Sequence, residues 1–306
     1  MSDHLLALPH AIKESTLSYI KTAYRTNNSA FNETRDDLLR SGDISRNVFG
    51  ESIFELIPRY ASSKQPVLKI LTDAFEDSSG YSTASTDIFL DGVKLFEDEI
   101  NYEPYQHQLD AVRETLVNKN DVVVTTGTGS GKSLCFILPL ITNLVMESSG
   151  SGGRPRWSSV ESSTDWWKSG SSQYSYNRGS GRTAAVRGMV MYPLNALVRD
   201  QIETLRSLLD CKAAESYYSD HLDGDRIYFG QYVGATPGKG NPTNRKRLSQ
   251  ARDFLRGTSK RHEQAIRDSS DDLWKFVENP AGSQMMLRWD MQQYWPDILI
   301  TNFTML

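Results

Sequence analysis

From residue 101 onward the apolar positions alternate between short runs and long periodic ones. The runs "DVVVTT" (121–126), "VRGMVMY" (186–192), "DRIYFGQYV" (225–233) and "DILIT" (297–301) predict four strands. The first is β-branched and short enough to predict a buried parallel strand. Between them lie helical patterns. "QHQLDAVRETLVN" is amphipathic, and "SLCFILPLITNLVME" (133–147) is apolar nearly all round, which predicts a helix covered on its sides. "NALVRDQIETLRSLLD" (195–210) predicts another helix. Strand and helix in alternation predict an α/β fold, a parallel sheet with helices on its faces.

Residues 1–100 read as mainly helical. "PHAIKESTLSYIKTAYRT" places Ile12, Leu17, Ile20 and Tyr24 close to helical spacing. "ESIFELIPRY" is a short apolar segment ended by Pro58, and "SSGYSTASTD" (78–87) is a polar loop. The α/β pattern is interrupted twice, at 148–181 and at 238–295. The first interruption is rich in Ser and Gly and predicts a flexible loop. It also holds Trp157, Trp166, Trp167, Tyr174 and Tyr176 among Arg154, Arg156, Arg178 and Arg182. Such a mixture either stacks on single-stranded bases or packs its tryptophans onto the domain.

Charge sharpens the second interruption. The net charge is −4, against a strongly basic nucleic-acid binder, and residues 1–100 carry 10 Lys/Arg against 16 Asp/Glu. Residues 241–268 reverse this with 8 Lys/Arg against 3 Asp/Glu. That segment is either a phosphate contact or a solvated helix face. No apolar run is long enough for a membrane span, and the N-terminus lacks a secretory pattern. Two distant cysteines, Cys135 and Cys211, fit reduced thiols in a cytoplasmic protein. Five scattered histidines and no Cys-x-x-Cys suggest no structural metal site.

The chemistry concentrates in "VVVTTGTGSGKS". A strand enters a glycine turn, Thr126-Gly127-Thr128-Gly129-Ser130-Gly131, then Lys132-Ser133 and a long helix. The glycines let backbone N–H groups approach phosphate oxygens, and the helix points its positive end at the same anion. Lys132 reaches β- and γ-phosphates, and Ser133 offers its hydroxyl to Mg²⁺. These residues predict ATP and Mg as cofactors, although Thr126 stands where the strict pattern has glycine.

Thr126 followed by Thr-Gly-x-Gly-Lys-Ser resembles the phosphate loop of superfamily 2 DEAD/DEAH-box helicases. "PYQHQLDAV" resembles their Q motif, which implies that the Gln108 amide reads adenine. "VMYPLNALVRDQIETLR" resembles motif Ia, with Asn195 and Gln201 as nucleic-acid contacts or, alternatively, helix cap and surface residues. "YVGATP" (232–237) resembles a Gly-x-Thr-Pro element of large bacterial Hrq/Mrf-like helicases, where Gly234 and Thr236 meet a phosphate or simply form a turn. "DILITNFTML" resembles motif Ib, with Thr301 and Asn302 as contacts; Asn302 departs from the usual proline and makes Thr301 the safer of the two. The likeness extends loosely to the helical front, whose counterparts include phage-defence helicases. It implies a helical accessory region at 1–100 and a partial first RecA-like domain at 101–306.

Hydrolysis in that family needs motif II, Asp-Glu-x-His or Asp-Glu-x-Asp, which binds Mg²⁺ and positions water. The sequence contains no such tetrapeptide; "SSDDLWKF" (269–276) lacks the strand and the pattern. The expectation is therefore an ATP- and nucleic-acid-binding N-terminal portion, inactive in hydrolysis alone. DNA is favoured over RNA as its partner, with no membrane partner. A second polypeptide carrying motif II and the second RecA-like domain is among the expected partners. The alternative is a non-catalytic nucleotide- and nucleic-acid-binding module completed in trans. Without neighbours for "DVVVTT", the chain is expected to be poorly stable alone.

Overall fold

The computed structural model describes residues 2–40, 59–77, 83–97, 99–127, 129–158, 165–168, 173–175, 182–268 and 276–305. Thr128, Tyr176, Arg178, the predicted apolar segment at 51–58, the start of the predicted loop at 78–82 and residues 269–275 lie outside the described residues. Packing divides the chain into two units, Met1–Arg59 and Tyr60–Leu306. The first holds α1 (Ser2–Ala23) and α2 (Ser29–Arg40), joined by Lys21 and Asp36 at 2.9 Å.

In the second unit four parallel strands form one sheet in the order β1-β4-β2-β3. They are β1 (Gly188–Tyr192), β2 (Phe229–Tyr232), β3 (Gln284–Met285) and β4 (Ile298–Asn302). Three of them match the predicted runs. The two-residue β3 was not predicted, because it is too short to leave a periodic signal. Central β4 buries Ile298 and Ile300 completely on one face and leaves Leu299, on the other, partly buried against a separate cluster of Tyr228, Met285 and Met291. At the edge, β1 instead leaves Met189 and Met191 about half exposed.

The predicted buried strand at 121–126 is corrected. Residues 121–127 form no strand, and Val123 is 86% exposed. A parallel strand is held by neighbours that take its N–H and C=O groups, and none of the four described strands pairs with this segment.

The helices are α3 (Val67–Asp77), α4 (Thr83–Val93), α5 (Gln106–Leu116), α6 (Leu134–Ser148), α7 (Asn195–Leu209), α8 (Lys212–His221), α9 (Arg245–Asp268) and α10 (Arg288–Gln293). As its pattern predicted, α6 buries most of its length, including Ile137, Leu138, Ile141, Leu144 and Val145. Helices α3 to α8 and the sheet share one core. Gly92 lets α4 approach α6 and α8: a Cβ there would lie 2.3 Å from Val145 Cγ1. Both cysteines are buried and unpaired in disulfides.

The two interruptions meet each other in a second core. Trp166 and Trp167 from the first pack with Leu248, Ala251 and Leu255 of α9 and with Met286, Leu287 and Trp289. These tryptophans and Trp157 are buried, so they do not present faces for base stacking. Packing onto the domain is the arrangement found.

Candidate nucleotide and nucleic-acid site

The glycine turn sits at the head of α6, where the helix leaves its first amides without intrahelical acceptors. Gly129 and Gly131 adopt φ of 77° and 67°, a left-handed backbone that glycine adopts without a Cβ penalty. Among the described residues no protein acceptor takes the N–H of Gly129, Ser130, Gly131, Lys132 or Ser133. Lys132 Nζ donates to the carbonyls of Thr126 (2.9 Å) and Gly127 (2.6 Å). Ser130 is fully buried; its hydroxyl donates to Gly127 O and lies 2.6 Å from Thr126 Oγ1. The loop is thus tied down by side chains while its amides stay available. This suits a phosphate group.

Gln108 lies beneath the loop and is 1% exposed. Its Nε2 donates to Gly131 O (2.9 Å), and its Oε1 accepts from the Tyr105 N–H (2.8 Å). Both ends of the amide are engaged within the protein, which makes Gln108 a support for the loop. A Cβ at Gly131 would come 2.5 Å from Gln108 Nε2. Neighbouring His107 has Nε2 2.9 Å from Ser130 O, where the ring N–H donates. Sequence reasoning passed over His107, although it stands in the same quoted motif. It also missed Tyr60, whose hydroxyl would meet a Cβ at Gly127 at 3.0 Å. Nothing in the surrounding sequence signals that contact.

The remaining candidates cluster around the C-terminal ends of the strands, the side on which open parallel sheets bind ligands. Gln201 of α7 donates through Nε2 to Ser133 Oγ (3.3 Å), while its Oε1 is buried without a partner. Burial raises the Tyr192 hydroxyl above its usual pKa, nearby Asp200 adds to the rise, and a hydrogen bond with Ser133 opposes it. Asn302 Nδ2 donates to Asn195 Oδ1 at 2.7 Å, joining the end of β4 to the start of α7. Helix α7 therefore touches β4 at Asn195 and the glycine loop at Gln201. Thr301 is 1% exposed, with its hydroxyl donated to Tyr232 O, so its side chain faces inward. Thr236 is equally buried: its hydroxyl donates to Gln231 O and accepts from the Val233 N–H. Gly234 is exposed beside it. Asn195 meets Asn302, and Gln201 meets Ser133 further along α7; Gly234 and Thr236 follow the neighbouring strand β2.

A parallel α/β sheet with a glycine loop at the head of a covered helix defines a RecA-like nucleotide-binding architecture. Residues 105–266, more than half of the chain, match the family model of the DEAD/DEAH box helicase. The chain belongs to the DEAD/DEAH box helicase family. It is also similar to Druantia protein DruE of Escherichia coli (strain UMEA 4076-1), 26% identical over 260 residues. That match covers 70% of this chain and 12% of the relative, so the chain spans a small part of that protein's length. No solved structure matches. The family generally uses ATP with Mg²⁺ and acts on nucleic acid. Among the described residues no helix is long and apolar enough to cross a membrane.

Proposed function

We propose that this chain is the ATP-binding and nucleic-acid-binding N-terminal portion of an ATP-dependent helicase or translocase, with DNA favoured over RNA. The observation that carries it is the set of available amides from Gly129 to Ser133 beside Lys132, in a chain of this family. On binding, phosphate oxygens replace the Thr126 and Gly127 carbonyls as acceptors for Lys132. The Ser133 hydroxyl, held by Gln201, is the group offered to Mg²⁺. Ser133 would hold Mg²⁺ there, and the ion would supply neutralisation of phosphate charge. Gln108 keeps Gly131 in place from below. Residues 101–306 serve as a partial first RecA-like domain after a helical accessory region. Motif II and the second RecA-like domain come from outside these residues, in this polypeptide or in a second one.

The pairing of Asn195 with Asn302 and of Gln201 with Ser133 supports α7 as the link between nucleic acid and nucleotide. The test is titration with a fluorescent ATP analogue. Lys132→Ala is expected to weaken binding by about tenfold or more, equivalent to about 1.4 kcal/mol. Its melting temperature should change little, because the Lys132 side chain is exposed and its two bonds brace only the loop. Equal affinity in the two proteins overturns the nucleotide assignment.

A further inference from the structure

Helix α9 buries Leu248, Ala251, Leu255 and Thr258, the 3-to-4 spacing of one helical face. Its other positions are strongly cationic. Arg245, Lys246, Arg247, Arg256, Lys260, Arg261 and Arg267 are exposed, against exposed Asp253 and Glu263. Among the described residues, no carboxylate lies within 4.0 Å of Arg245, Lys246, Arg247 or Lys260. A solvated face of a stable helix usually intersperses both signs, and here the first turn holds three consecutive cations.

That turn borders a cavity of about 480 Å³, lined by Thr236, Lys239, Arg247, Gln250, Phe254 and Trp289 among others. The opposite wall is the loop that follows β2, and it is shaped with care for Lys239. Gly238 and Gly240 flank it with φ of 79° and 77°. A Cβ on Gly238 would stand 3.2 Å from Arg288 N, and one on Gly240 would collide with the Arg247 guanidinium. Arg247 Nη1 donates to Lys239 O at 2.6 Å, and Trp289 Nε1 donates to Gly240 O. The two walls are thereby fixed to each other, leaving Lys239 exposed at the rim. The cavity begins at Ala235 and Thr236, directly after the strand end that carries Gly234. It continues the edge on which Asn195 and Asn302 meet.

We propose that this groove is a second nucleic-acid site, in which a single strand running off the strand-end edge lays its phosphates along Lys239, Arg245, Lys246 and Arg247. Half-buried Phe254 gives the groove an apolar face for a sugar or base. The site is built by the two interruptions together, since Trp166 and Trp167 hold α9 in place. It rests on the reading that the chain binds nucleic acid, and it assigns the 238–247 segment a direct part in that binding.

The test uses the full chain and a fluorescent single-stranded oligonucleotide, with affinity measured from about 50 to about 200 mM salt. Changing Arg245→Gln, Lys246→Gln and Arg247→Gln together should lower the salt slope by about 2, at about 0.7 per lost single-strand contact. ATP-analogue affinity should not change. Arg267→Gln, at the far end of α9, should leave the slope as it was. Lys239→Gln, whose side chain makes no hydrogen bond or ion pair among the described residues, should lower the slope by about 0.7 without touching the fold. It therefore decides the matter if the triple variant unfolds. Wild-type binding with unchanged slopes in the Lys239 variant overturns the groove and leaves the proposed function standing. A wild-type chain that binds ATP but no oligonucleotide overturns both.

Discussion

Asp297, at the N-terminal end of β4, is fully buried and fully engaged. It accepts from Arg182 Nη1 (2.7 Å) and Nη2 (2.8 Å), from Arg187 Nη1 (2.9 Å) and from the Tyr228 N–H (2.8 Å). Arg182 also bonds Asp225 and lies 3.3 Å over the Trp157 ring, and Arg187 reaches Glu147. At the opposite end of the strands the groups behave differently. Among the described residues the amides of Gly129 to Ser133 have no protein acceptor and Gln201 Oε1 is buried without a partner, while Lys132 is exposed. The Asp297 end closes its charges on one another; the other end combines internal bonds at Thr301, Thr236 and Asn302 with loop amides that have no acceptor among the described residues. The contrast separates what holds the sheet together from what it presents to ligands.

The sharpest way to break that contrast is Asp297→Ala. It leaves two partly buried arginines short of their shared carboxylate, with only Asp225 and Glu147 remaining to them, a defect of about 3 kcal/mol. For a chain of this size the melting temperature should fall by roughly 10 °C, read by circular dichroism. Lys132→Ala should change the melt little. If the two variants melt alike, the division between the two ends is wrong.

A second buried aspartate qualifies the comparison. Asp290 of α10 is 5% exposed, and its main partner is the Tyr174 hydroxyl at 2.5 Å. Burial pushes its pKa up to about 7, against weaker lowering by Tyr174 and the Leu287 backbone. The folded value is above the unfolded one of 3.8, so its contribution to stability is full below that pH. It is lost as the pH rises to about 7, because only the unfolded chain has released the proton. Asp290→Asn should remove this loss and gain stability relative to wild type, on the order of a few kcal/mol above pH 7. Urea melts of both proteins at several pH values give the difference directly. A constant difference from acid to neutral pH would show that Asp290 does not titrate in this way.

How much of this was legible in the sequence depends on whether a feature is local. The turn at 126–133, the covered helix α6 and the α7 start at Asn195 are local, and their spacing carried them. The strands at 188–192, 229–232 and 298–302 were visible for the same reason. "DVVVTT" has the composition of a strand, but pairing is a property of neighbours, and Val123 stands in solvent without them. The Asn302 to Asn195 bond and the Asp297 cluster join residues more than a hundred positions apart. No periodicity encodes such meetings. The burial of Thr301 and Thr236 was hidden similarly, since a threonine at a strand end reads the same whether its hydroxyl turns in or out. Trp166 and Trp167 disclosed their role only through α9, which lies beyond β2 in the chain.

The smallest effect expected, and the most local, compares two glycines of the open end. Gly131 and Gly129 share a left-handed backbone, so alanine at either costs about 1–2 kcal/mol from that conformation. Their surroundings differ. A Cβ on Gly129 meets nothing within 4 Å, whereas one on Gly131 presses on Gln108 Nε2 at 2.5 Å. Gln108 is buried and cannot swing into solvent, so it must give up the Gly131 carbonyl or shift the start of α5 through its bond to Tyr105. Gly131→Ala should therefore melt a few degrees below Gly129→Ala and bind the ATP analogue more weakly. Adding Gln108→Ala to Gly131→Ala relieves the clash and should recover part of the lost stability, while doing nothing for Gly129→Ala. If the two glycine variants prove equal in both measurements, Gln108 does not support the loop.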